Sequence, residues 1–230
     1  MKTIALFVAQ PYVSTQSCNG IIQALSPHYN FKLFTKHEVE DGFFDKVDAV
    51  CFAGGFGDSD SWDHLFKYNG NSIKSFVRSG GVYIGICMGG YWAGSSYFNI
   101  LSNDVDTCQY ITQPRTDTKR PHAKNLEVDW NGRRERMFFY DGFAVTGSEE
   151  NFRTYARYMN GDPMAIIQNN IGIIGCHPEA NQFWYDEYSW LKGKYVSKHH
   201  LLLEFVDELL TGRNRNEKNL KIHSIMVPAM

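Results

Sequence analysis

The sequence lacks any apolar run approaching the about 18 residues a bilayer-crossing helix needs, so no membrane span is expected. It lacks a charge excess of either sign: 23 Lys and Arg face 25 Asp and Glu, a formal net charge of -2, which gives no global pull toward nucleic acid or an anionic membrane. Paired cysteines are missing too. Cys18, Cys51, Cys87, Cys108 and Cys176 are odd in number, scattered and free of CxxC spacing, which argues against a disulfide framework and a thiolate zinc site and favours a reducing cytoplasm. There is no internal repeat, no low-complexity linker and no Gly-x-x-x-x-Gly-Lys-Ser/Thr phosphate loop.

What is present is an ordinary globular composition, 43% apolar with 15% aromatic residues, in a chain long enough to bury a substantial core. Residues 1–210 read as one domain and 211–230 as a polar tail. After Met1-Lys2, the run TIALFVA is short for a leader's apolar core, and Gln10-Pro11 arrives before any small-residue cleavage site, so it reads as a first strand. Further strand-like runs occupy Phe31–Thr35, Ala49–Ala53 and Val82–Cys87. Between the last two, NSIKSFVRS (71–79) sets Ile73, Phe76 and Val77 on one helical face and Gly80-Gly81 stops it. This alternation predicts a parallel sheet with crossover helices. Shorter strands follow at 126–130, 135–147, 155–159 and 163–168, and Asn169-Asn170 turns the chain into IGIIGC (171–176). An amphipathic helix closes the domain over Lys198–Leu210. The basic loops 112–125 and 131–136 read as solvated surface rather than a nucleic-acid face.

The chemistry concentrates in GVYIGICMGGYWAG (81–94), where a cysteine ends an apolar strand with glycine two residues before it and two glycines just after. Small residues at Gly85, Gly89 and Gly90 let a strand-to-helix turn close around a strained nucleophile and let a substrate approach it. A helix starting at Met88 aims its N–H groups at the sulfur, favouring thiolate, and the Met88 amide faces a developing oxyanion. Gly54 and Gly55, in the loop after the third strand, lie at the same sheet edge, with the Gly55 N–H as second donor. In IIGCHPEA (173–180), His177 moves the proton and Glu179, two residues on and on the same face, orients the ring; Pro178 keeps the segment extended. Alternation turns Cys176 to the opposite face. Asp58 is placed to meet a substrate amine and Tyr140 to line the pocket. Asp58, Asp60 and Asp63 look like part of a metal loop but lack its bidentate glutamate, so no metal site is read there. His199-His200 receive no role.

With these motifs in hand, the chain resembles the class I glutamine amidotransferase superfamily. AGGFGDSD, NSIKSFVRSGG, GVYIGICMGGYWAG and YARYMNGDPMAIIQ…GCHPE are together most similar to the amidotransferase-like N-terminal domain of eukaryotic biotin-protein ligases, over about residues 45–210. The resemblance implies a flavodoxin-like, doubly wound, mostly parallel α/β sheet with helices on both faces and added antiparallel strands. It also implies a Cys87-His177-Glu179 triad with Gly55 and Met88 as oxyanion donors. The implied activity is hydrolysis of glutamine or a related small amide, with ammonia released for a separate synthetase or ligase partner and no cofactor. Two departures stand out: glutaminase domains carry Gly-Gln or Gly-His after the elbow and proline before the oxyanion loop, where this chain has Gly89-Gly90 and Ala53. Two alternatives stay open: a non-catalytic binding or regulatory module on this fold, and a peptidase- or glyoxalase-like cysteine enzyme of the wider superfamily.

Overall fold

The structure is a computed structural model that describes residues 1–39, 42–56, 59–66 and 70–212. Asp58 and residues 213–230 of the expected tail lie outside the described residues. In chain order the elements are β1 (Thr3–Phe7), α1 (Thr15–Leu25), β2 (Asn30–Phe34), β3 (Ala49–Phe52), α2 (Ser59–Phe66), α3 (Gly70–Arg78), β4 (Val82–Ile86), α4 (Met88–Tyr91), β5 (Asp106–Gln109), β6 (Lys124–Trp130), β7 (Arg133–Phe139), β8 (Phe143–Thr146), β9 (Arg153–Tyr158), β10 (Pro163–Gln168), β11 (Ile171–Ile174), α5 (Gln182–Asp186) and α6 (His199–Thr211).

Nine strands form one sheet in the order β2-β1-β3-β4-β11-β10-β9-β6-β7, and β5 pairs with β8 apart from it. Pairings from β2 through β11 are parallel, and those from β11 to β7 are antiparallel. The expected sheet is therefore present, with an antiparallel extension at one side. Period-two alternation assigns its faces. Leu6, Cys51, Ile84 and Gly172 stand in register. A Cβ on Gly172 would meet the Phe205 ring at 2.8 Å, so α6 lies on that face, with α1 beside it. Phe7 and Phe52 point the other way, into rings from Phe66, Trp92 and Phe98, where α2 packs. With both faces covered, β1, β3, β4 and β11 are buried almost end to end, which explains their unbroken apolar runs.

Three expectations change. The stretch 135–147 is two strands, β7 and β8, because Asp141 adopts φ 46° and turns the chain between them. Residues 133–136 are the start of β7 rather than loop: Asn131 and Gly132, at φ 49° and 81°, make a tight hairpin between β6 and β7. Their charges are paired, Arg134 and Arg136 with Glu127 and Arg133 with Glu204. The last helix runs one residue further than expected, to Thr211, where Gly212 at φ 62° closes it with a 2.8 Å bond to the Glu208 carbonyl. Among the described residues no helix is long and apolar enough to cross a membrane.

Phe205 is fully buried and packs edge-on against Tyr155. Phe205→Ala is expected to lower stability by about 3–5 kcal/mol in urea unfolding. Phe56→Ala, at a side chain 73% exposed, should stay within about 0.5 kcal/mol.

Candidate functional site

Three neighbouring strands, β3, β4 and β11, deliver the site from their carboxyl ends, where parallel sheets open into crevices. Cys87 follows β4 at φ 50°, ψ -107°, a conformation an L-residue adopts only when its surroundings hold it. Its N–H donates to the Ile174 carbonyl at 2.8 Å, and its own carbonyl accepts from Gly90 and Tyr91 at 2.9 and 3.0 Å. The turn closes because its glycines leave room: a Cβ on Gly85 would sit 2.4 Å from the Gly89 carbonyl oxygen, and one on Gly89 would sit 2.1 Å from that of Phe52. The expected helix after the cysteine is a single turn, α4, so what faces the sulfur is the local amides of that turn, not the summed dipole of a long helix.

The loop after β3 is held from the other side. Ser14 N–H donates to the Gly54 carbonyl at 2.9 Å and Phe56 N–H to the Tyr12 carbonyl at 2.7 Å, so Val13 and Gly55 face each other as a non-hydrogen-bonded pair. That pairing turns the Gly55 N–H away from segment 12–14 and toward the β4 side. Gly54 packs against the His177 ring: a Cβ there would stand 2.8 Å from Cε1.

His177 is anchored by its own N–H, which donates to the Phe138 carbonyl at 2.9 Å. Its Nδ1 meets Oε1 of Glu179 at 2.8 Å, and the ring lines the same lobe of the cleft as Cys87. The same Glu179 oxygen accepts from Ser17 Oγ at 2.6 Å, and Ser17 Oγ in turn accepts the Gly54 N–H at 3.0 Å. Glu179 is wholly buried, and Oε2 has no partner among the described residues. Burial pushes the His177 pKa down, but Glu179 and then Cys87 outweigh it and raise it to about 10. The buried carboxylate therefore favours the charged form of the ring.

The thiol of Cys87 donates to the Tyr140 carbonyl at 3.6 Å and opens onto a cleft with two lobes. The first, about 540 Å³, is lined by Met88, Tyr91, Tyr97, Gln109 and Asp141. The second, about 340 Å³, is lined by His177 with Phe138, Trp184, Tyr188, Gln16 and Glu187. Gly55, Phe56, Cys87 and Tyr140 belong to both. Burial pushes the Asp141 carboxyl up, against a weaker opposing bond from Gln109. The other thiols are spectators: burial pushes Cys18 up to about 12 and raises Cys51, Cys108 and Cys176 as well. Cys176, as expected from alternation, faces the core beside the Tyr158 hydroxyl. Among the described residues no group of three or more His, Cys, Asp or Glu is placed to hold a metal.

Six of the expected residues, Cys87, His177, Gly54, Gly55, Met88 and Tyr140, thus line one cleft, Glu179 is buried behind the His177 ring, and Asp58 lies outside the described residues. Ser17 was not anticipated. Ser14 signals the start of α1 as an N-cap, its side chain accepting the Ser17 N–H, but nothing local marks the hydroxyl of Ser17 as a link to residues 37 and 162 positions away. His199, assigned no role, places Nε2 3.1 Å from the Glu179 carbonyl oxygen.

Two outcomes follow from this network. In an NMR titration, Glu179→Gln is expected to lower the His177 pKa further than Cys87→Ser does. Because the folded value is raised from an ordinary value near 6.5, the stability His177 contributes is complete below that value and is lost as pH rises through about 10. Ser17→Ala should cost about 1–3 kcal/mol in denaturant unfolding, since it strips one partner from a buried carboxylate that already has an unpaired oxygen.

Residues 10–107 match the family model described as biotin-protein ligase, N terminal. That segment begins earlier than the expected span and stops within β5, so it includes Cys87 and excludes His177 and Glu179. No curated protein matches the chain. Among solved structures, a glutamine amidotransferase is 13% identical with a TM-score of 0.64, covering 90% of this chain and 98% of its own. PurLQS from Thermotoga maritima is 14% identical with a TM-score of 0.60, covering 91% of this chain and 100% of its own. A glutamine amidotransferase from Thermotoga maritima is 12% identical with a TM-score of 0.60, covering 91% of this chain and 98% of its own. The chain therefore has a glutamine amidotransferase-like, flavodoxin-like fold, and over residues 10–107 it resembles the N-terminal part of biotin-protein ligases.

Proposed function

We propose that the protein is a cysteine-dependent amidohydrolase of the glutamine amidotransferase type, acting on glutamine or a related small amide. The observation that carries this reading is that Cys87 and His177 line one lobe of an open cleft while Glu179, 2.8 Å from the ring's Nδ1, is buried behind it. Nδ1 is taken by Glu179, which leaves Nε2 to serve the sulfur.

In the proposed reaction the Cys87 thiolate attacks the amide carbon, and a carbon–sulfur bond forms as the carbonyl electrons move onto oxygen. The Gly55 and Met88 amides receive that oxyanion, preset by the bridge to Val13 and by the first turn of α4. His177 then gives its proton to the departing nitrogen, the carbon–nitrogen bond breaks and ammonia leaves. Water, deprotonated by the same ring, hydrolyses the thioester and restores the thiol. Glu179 keeps the ring in one tautomer and balances its charge. Asp141, half-buried in the first lobe, is a site for a substrate amine.

The structural neighbour PurLQS and the biotin-protein ligase match support a separate synthetase or ligase as the acceptor of the ammonia. The non-catalytic alternative predicts a folded protein with no turnover. The reading is checked by measuring ammonia release from glutamine and other small amides. Cys87→Ser is expected to reduce turnover at least about a thousandfold and His177→Ala comparably, because such groups act as a unit. Turnover that survives in Cys87→Ser would refute it.

A further inference from the structure

We infer that the second lobe of the cleft is a seat for a leaving amine much larger than ammonia, so that the enzyme accepts amides whose nitrogen carries an apolar, aromatic-sized substituent. This rests on the amidohydrolase reading and extends it to the other side of the scissile bond. Whichever nitrogen departs must face the group that protonates it, so the leaving group projects into the lobe that contains His177. The acyl part then falls to the first lobe, beside Met88 and Asp141.

Ammonia needs little more room than a water molecule, about 30 Å³, whereas this lobe holds about 340 Å³. Its walls are aromatic and fixed. Phe138 and Trp184 meet edge-on with centroids 5.2 Å apart, Trp184 lies 5.1 Å from the His177 ring, and Tyr188 packs beside Phe138. A polar edge is formed by Gln16 and Glu187, whose side chains meet at 3.4 Å. That combination suits an amine with an apolar body: flat walls take the body, and Glu187 attracts the ammonium that forms once the amine is free. The chemistry balances as before. The carbon–nitrogen bonding pair stays on nitrogen, His177 supplies one proton, and the released amine takes a second from water.

The test compares glutamine with its γ-N-benzyl amide, and follows benzylamine binding to Cys87→Ser through the Trp184 indole N–H resonance. The benzyl amide is expected to be cleaved with kcat/KM no worse than tenfold below that of glutamine, and Tyr188→Ala to lower the benzyl-to-primary ratio at least fivefold. Benzylamine should shift the indole signal saturably. A benzyl penalty greater than tenfold, or an unchanged ratio in Tyr188→Ala, overturns the inference. If neither amide is cleaved, that result counts against glutamine as the substrate and not against the lobe. The lobe is then judged by benzylamine alone, and an unmoved Trp184 signal overturns the inference.

Discussion

One carboxylate oxygen organises this site. Oε1 of Glu179, shut off from solvent, receives both the Ser17 hydroxyl and the His177 ring. A buried charge is tolerated only when it is paired and hydrogen-bonded, so the His177 ring and the Ser17 hydroxyl are requirements of the fold. Through Ser17 the same oxygen is tied to the Gly54 amide, and hence to the loop that presents the Gly55 N–H. The backbone carbonyl of Glu179 makes the arrangement tighter still: a Cβ on Gly20 would come within 2.2 Å of it, so α1 presses directly onto the acid.

This hub explains why the cleft is stiff on one side and open on the other. Behind Cys87, His177, Glu179 and Ser17 are buried and mutually bonded. In front of it, Phe56 and Tyr140 stand exposed at the boundary of the two lobes. The strained cysteine backbone sits between these regimes. Bonds to Ile174, Gly90 and Tyr91 hold a conformation that costs of the order of 1–3 kcal/mol.

Much of this was legible in the sequence, for identifiable reasons. The four central parallel strands, β1, β3, β4 and β11, were readable because burial on both faces leaves unbroken apolar runs, and the elbow because its glycines flank a cysteine at a strand end. The His-x-Glu pair was readable because alternation puts both side chains on one face. The segment 135–147 misled because the apolar end of β7, Met137–Phe139, and the apolar β8 lie only three residues apart and their separation depends on Asp141 adopting a positive φ. Where α4 ends was not legible, because its glycines permit the turn without fixing its length. Ser17 was illegible in principle, since its role exists only after α1, β3 and β11 converge.

The most direct test of the central claim is peptide mapping by mass spectrometry after treatment of the native protein with a glutamine-mimicking diazoketone. The account predicts one adduct, on Cys87, with Cys18, Cys51, Cys108 and Cys176 unmodified, and its loss in His177→Ala. An adduct on another cysteine, or labelling of Cys87 that is indifferent to His177, would contradict it.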